Sequence, residues 1–232
     1  MKKENIVISL SGGKDSTALL LRSLEEGIKI HSAVFFDTGW EFPAMHRHIE
    51  KLQKNTGVRI FTLKPRVSFQ YWMTERPVRE RGKNGKVYTY GRSWPTPQRR
   101  WCTTLKTGEL KYFYKQIENP VACVGYAADE THRSSTQMTG ARYEFPLQKW
   151  GMDEKECLDY CRKKGYDWEG IYNHMHRVSC YCCPLQRKAN IKYVHDYHPK
   201  LWSNMLKMDS MIEDNRGFWS GKTVHELTEM WK

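Results

Sequence analysis

Residues 8–24 read ISLSGGKDSTALLLRSL, and the architecture is worked outward from them. The chain leaves a β-branched run, passes through Ser-Gly-Gly-Lys-Asp-Ser, and enters an apolar helical pattern with no spacer. A turn of this kind, between a strand and a helix N-terminus, gathers backbone N–H groups at the positive end of the helix dipole. Its glycines let the oxygens of an anion reach the backbone. The spacing is neither the G-x-x-x-x-G-K-[ST] of a Walker loop nor G-x-G-x-x-G. Lys14 and Asp15 are read here as side chains on an exposed loop.

Around this turn the periodicity predicts a strand over 5–10 and a helix over 15–26, with Ala18, Leu19, Leu20 and Leu24 inward. A second strand spans 30–36 and ends in Asp37-Thr38-Gly39. A second helix over 44–57 stops at Gly57, and a third strand over 58–64 is halted by Pro65. Residues 119–126 form a fourth strand, followed by the polar loop AADETHRSS. Alternating strand and helix patterns at this spacing predict βαβ units. The expected fold is an α/β, open, doubly wound, mostly parallel sheet over residues 1–150. A helical, cysteine-bearing extension is expected over 151–232, with no internal repeats. Residues 76–101 interrupt the rhythm with eight basic residues, one acidic residue, three prolines and three glycines. They predict a long mobile loop or small hairpin.

Of the 232 residues, 39% are hydrophobic, enough for a core, which excludes global disorder. No apolar run reaches membrane-span length and the start lacks a signal-peptide core, so a soluble, cytoplasmic protein is expected. Thirty-eight Lys and Arg against 26 Asp and Glu give a net charge of +12. That balance suits a polyanionic ligand, or simply a basic solvated surface. Seven cysteines, an odd number without a secretion signal, argue for thiol or metal chemistry over a disulfide framework.

Ser11-Gly12-Gly13-Lys14-Asp15-Ser16 resembles the PP-loop of the adenine nucleotide α-hydrolase-like superfamily. FFDTGWEFPAMHRHI (35–49), VGYAADETHRSS (124–135) and FPLQKW, GIYN and CYCCP (145–184) narrow the resemblance to the phosphoadenosine-phosphosulfate (PAPS) reductase family. Ala127 stands where that family often has arginine. The resemblance implies an adenine nucleotide, ATP or a sulfonucleotide (PAPS or APS), as ligand. Ser11, Gly12, Gly13 and Ser16 would hold phosphate through amides and hydroxyls, and Lys14 through its charge. Asp15 would hold Mg²⁺ or cap the helix. Asp37, at the carboxyl edge of the sheet, would contact ribose, adenine or a metal, with Thr38 and Gly39 beside it. Gly125, Glu130 and Arg133 complete the nucleotide set, Glu130 and Arg133 orienting phosphate or forming a surface ion pair. Lys14, Asp15 and Asp37 are the catalytic candidates.

Cys180 and Cys183 have the C-x-x-C spacing that puts two thiolates on one ion. Family members with an iron–sulfur cluster add a Cys-Cys pair in mid-chain, where this chain has Trp101-Cys102. The resemblance implies a 4Fe–4S cluster on Cys102, Cys180, Cys182 and Cys183. Zinc, recruiting His174 or His176, is the rival, and thiols without metal a third reading. Cys123, Cys157 and Cys161 sit in strand and helix patterns and are read as core residues.

Sulfonucleotide reductases of this family use a nucleophilic cysteine in a C-terminal segment, and these 232 residues have none after Cys183. The preferred reading is therefore ATP adenylylation with pyrophosphate release, coupled to sulfur transfer from a sulfur donor or thioredoxin-like protein. The alternatives are a reductase with a displaced nucleophile and a non-catalytic nucleotide- or DNA-associated subunit. A nucleic acid, tRNA or DNA, is an expected partner of segment 76–101, with Trp94, Tyr88 or Tyr90 stacking on bases. Arg99 and Arg100 are read as a nucleotide lid.

Overall fold

The computed structural model describes residues 3–79, 86–131, 140–178 and 180–232. In chain order the elements begin β1 (Asn5–Leu10), α1 (Lys14–Glu25), β2 (Ile30–Phe36), α2 (Pro43–Thr56), β3 (Ile60–Leu63) and α3 (Phe69–Thr74). Then come β4 (Pro77–Arg79), β5 (Val87–Tyr90), α4 (Trp101–Tyr114), β6 (Pro120–Val124) and β7 (Arg142–Glu144). The chain continues with α5 (Pro146–Lys149), α6 (Glu154–Lys163), a kinked 3₁₀ segment Trp168–Asn173, α7 (Lys188–Tyr197), α8 (Pro199–Ser210) and α9 (Val224–Met230).

Two compact units result. The first comprises Met1–Asp37, Glu41–Lys64 and Lys106–Tyr172. Its sheet runs β3-β2-β1-β6-β7, with every pairing parallel. Consecutive side chains Val7 and Ile8 are both fully buried, because helices cover both faces of the central strand. From β1 the chain winds outward through β2 and β3, then returns to the other side as β6 and β7. The switch point is therefore the crevice beyond the carboxyl ends of β1 and β6, where Ser9 pairs with Val124. Helix α2 starts at Pro43 and ends at Gly57, which takes φ 67° as a left-handed cap. It turns Ala44, Met45, His48, Ile49 and Leu52 inward, a helical face. Helix α6 opens on a capping box of Asp153 and Glu156 and packs on α1. That packing keeps residues as far as Tyr172 in the first unit, whereas the sequence expectation breaks the chain at residue 150. Cys123, Cys157 and Cys161 are core residues whose thiol pKa values burial pushes up, that of Cys123 to about 12.

The four predicted strands are all present, and β7 is an addition. Its three residues are too few to show a period.

The second unit comprises Thr38–Trp40, Pro65–Leu105 and Asn173–Lys232. Helix α3 is capped by Ser68, whose hydroxyl accepts from the Tyr71 N–H at 3.1 Å. Strands β4 and β5 pair antiparallel as a hairpin, with a register shift between Val78 and Arg79. The unit also holds a polar hub. The Asp209 carboxylate, 3% exposed, accepts from Trp94 Nε1 at 2.8 Å, Asn215 Nδ2 at 2.8 Å and the Val224 N–H at 2.9 Å. Trp94 is 2% exposed and packs edge-on against Phe218. This corrects its reading as a base-stacking residue: its indole N–H is bound inside the core. Trp40, Phe69 and Trp101 form an edge-to-face trio, with ring centroids 5.4–6.3 Å apart. Among the described residues no helix is long and apolar enough to cross a membrane.

Candidate nucleotide site

The PP-loop lies at the switch point of the first unit. Gly12 takes φ +80°, a conformation that strains any L side chain, and a Cβ there would also have to displace the Met45 side chain. Its carbonyl turns back and accepts from Trp168 Nε1 at 2.7 Å. Trp168 in turn stacks on His48, centroids 4.5 Å apart, and His48 Nε2 pairs with Thr17 Oγ1 at 2.9 Å. Burial, with Lys51 nearby, pulls the His48 pKa down to about 3, so the ring is neutral and this bond is pH-insensitive in the physiological range.

The loop hydroxyls tie it internally. Ser16 Oγ accepts from the Ser11 N–H at 3.1 Å and donates to the Gly13 carbonyl at 3.1 Å. Gly125, just past β6, packs on the first turn of α1. A Cβ on it would lie 2.9 Å from Ser16 N and Cα, so its role here is close approach of two backbones.

Lys14 departs from the exposed loop side chain expected of it, being only 4% exposed. Its Nζ donates to Glu154 Oε2 at 2.6 Å and to both Asp15 carboxylate oxygens at 3.1 and 3.2 Å. Its backbone N–H donates to Tyr172 Oη at 2.8 Å. Burial pulls the ammonium pKa down, but Asp15 and Glu154 more than offset this, and the net shift is upward. Burial pushes the Asp15 carboxyl up to about 6, against the pull of Lys14 and with help from Glu154 and Glu130. Asp15 does not cap α1: the N-cap is Gly13, with no side-chain cap bond.

Asp37 is buried at the end of β2, its N–H bound to the Leu63 carbonyl at 2.8 Å. His46 Nε2 and Lys64 Nζ each stand 3.9 Å from its carboxylate. The Glu130 backbone closes a turn onto the Ala127 carbonyl at 3.0 Å. Arg133 lies outside the described residues, as does the Glu80–Gly85 part of the basic segment.

Thr38 and Gly39 belong to the second unit, where Thr38 Oγ1 lies 3.3 Å from Cys180 Sγ. The Tyr181 N–H donates to the Trp40 carbonyl at 2.9 Å, and Cys183 N–H to the Cys180 carbonyl at 3.1 Å. Cys182 is buried and Cys102 half-buried. All seven cysteines are described, and none forms a disulfide. Among the described residues no group of three or more His, Cys, Asp or Glu side chains is arranged to hold a metal ion. The four candidate thiols all lie in the second unit. His174 stacks on Tyr193 and Tyr197.

Glu154, Trp168, Tyr172 and His48 carry the loop and were not legible as site residues. DEKE at 153–156 signals only a helix start, and WEGIYN lies more than 150 residues from the loop it supports.

A family model described as phosphoadenosine phosphosulfate reductase domain matches residues 5–186. The chain belongs to that family. An uncharacterized protein of Methanocaldococcus jannaschii, MJ0066, is 25% identical over 250 residues, an alignment covering 99% of this chain and 44% of the relative. The chain thus spans less than half the length of that relative. Among solved structures, a predicted subunit of tRNA methyltransferase from Methanocaldococcus jannaschii is 12% identical with TM-score 0.36, covering 72% of this chain and 91% of that one. The NH3-dependent NAD synthetase of Campylobacter jejuni is 14% identical with TM-score 0.37, covering 91% and 85%. At such scores neither bears on the chemistry. The family member is a nucleotide-binding PP-loop protein of α/β fold.

Proposed function

We propose that the chain is a PP-loop enzyme that binds ATP and acts at its α-phosphate. The observation that supports this most is the loop itself. A glycine turn fixed from behind by Trp168 and Tyr172 lies at the sheet's switch point, with a buried lysine at the start of α1. In the proposed step an acceptor oxygen attacks the α-phosphorus, the bond to the β-phosphate oxygen breaks, and pyrophosphate leaves. An adenylylated acceptor remains, from which a sulfur donor displaces AMP. Lys14 and the loop amides neutralise charge as pyrophosphate departs, and rigid support holds them in place beforehand. Mg²⁺ enters as part of the ATP substrate. Cys102, Cys180, Cys182 and Cys183 are the proposed place of sulfur chemistry, with no step routed through a metal.

The family's own description favours a second reading, reduction of a sulfonucleotide. Two assays separate them: exchange of labelled pyrophosphate into ATP with tRNA or DNA supplied as the acceptor, and sulfite release from PAPS or APS with a thiol donor. Exchange that falls about 100-fold or more in Lys14→Ala, with the fold retained by circular dichroism, is expected. Sulfite release without exchange would establish the reductase reading. Failure of wild type to bind either nucleotide would overturn both.

A further inference from the structure

The chain's positive charge is unevenly divided. Of its Lys and Arg residues, 18 lie in the second unit against 8 Asp and Glu; the first unit has 20 against 18. Within the second unit, the β4–β5 hairpin displays two large aromatic rings. Tyr88 and Tyr90 are each 51% exposed, whereas Thr89 between them is buried. The exposures put both rings on the outer face, Tyr88 standing as the extra residue where the register of the two strands shifts. An exposed aromatic ring is a platform on which an unpaired base stacks.

The orientation of this face is fixed from behind. Glu213 accepts from Thr89 Oγ1 at 3.2 Å and from the Tyr90 N–H at 2.8 Å. Basic residues flank the two strands. The Arg76 guanidinium lies 3.6 Å and the Arg92 guanidinium 5.3 Å from the Trp72 ring centroid, and Arg79 and Lys86 are exposed. Glu75 precedes β4, Glu213 supports β5, and Glu80 follows Arg79 in the sequence.

We infer that the outer face of the β4–β5 hairpin is a docking surface for single-stranded nucleic acid. Tyr88 and Tyr90 stack on unpaired bases, while Arg79 and Lys86 contact phosphates. As the site of the activated acceptor, this surface rests on the adenylylation reading; as a binding surface, it stands without it. A duplex, whose bases are already stacked, leaves the rings unused, and an acidic polypeptide uses the charges alone.

The test is fluorescence anisotropy with short labelled RNA and DNA single strands of mixed sequence, the matching duplexes, and poly-glutamate. Wild type is expected to prefer single strands, with affinity falling steeply between about 50 and 200 mM salt. The double variant Tyr88→Ala/Tyr90→Ala should lose tenfold or more, and Tyr88→Phe/Tyr90→Phe should restore binding. Arg79→Ser/Lys86→Ser should flatten the salt dependence, and none of these variants should change ATP affinity. Equal binding of duplex and single strand, poly-glutamate binding as tight as the oligonucleotides, or an Ala variant within twofold of wild type would each overturn the inference. Oligonucleotide binding by a protein that binds no ATP would sink the adenylylation reading and leave this surface standing.

Discussion

The two units answer the problem of binding anions in opposite ways. The first is nearly balanced in charge and relies on placement: a glycine turn, a helix start and one buried lysine already held by carboxylates. The second carries an excess of ten positive charges, 18 basic against 8 acidic residues. Its aromatic rings stand in the open on a hairpin. The contrast teaches that the net charge of +12 is no guide to the PP-loop. A mononucleotide site needs a few oriented N–H groups at short range, while a polymer is met by many charges over a surface.

The units also differ in what holds them together, and the largest expected effect tests that. The first is built on an apolar parallel sheet, the second around Asp209 and its three N–H donors. Asp209→Ala leaves those donors unpaired inside the protein and should cost about 3–5 kcal/mol in urea unfolding followed by tryptophan fluorescence. A loss below about 1 kcal/mol would break this side of the comparison.

A smaller effect is expected in the first unit. Glu154 and Asp15 occupy the Lys14 ammonium that phosphate would take. Glu154→Gln weakens that hold, and ATP affinity by calorimetry should rise about threefold to tenfold, roughly 1 kcal/mol. Unchanged or weaker binding would show that Glu154 orients the lysine instead of competing for it.

An effect of similar size is a pH dependence. The folded pKa of Asp15, about 6, stands above its ordinary value of 3.8. As pH falls through 6 toward 4, the folded protein takes up a proton that the unfolded chain does not yet bind, so this group's contribution to stability rises. From pH 7.5 to 5, wild type should gain on the order of 1 kcal/mol relative to Asp15→Asn. Parallel profiles for the two proteins would remove Asp15 from the buried cluster.

The sequence made the first unit's frame plain because its signals are local. Strands β1, β2, β3 and β6 are short apolar runs bounded by glycine or polar turns, and α2 carries its stop signal, Gly57. The hairpin at 77–90 was legible as an interruption, and its exposed tyrosines as candidates for stacking. Trp94 was misread because composition cannot tell an exposed indole from one donating to a buried carboxylate. Lys14 was misread for a related reason. Its partner Glu154 is 140 positions away, and nothing in either neighbourhood announces the pairing.

The support behind the PP-loop has a consequence for synthesis. Trp168 and Tyr172, which anchor the Gly12 carbonyl and the Lys14 N–H, emerge from the ribosome more than 150 residues after the six residues Ser11–Ser16. A nascent chain arrested short of them contains the whole phosphate-binding motif and neither anchor. The nucleotide pocket is therefore among the last parts of the first unit to mature, long after its own signature has been translated.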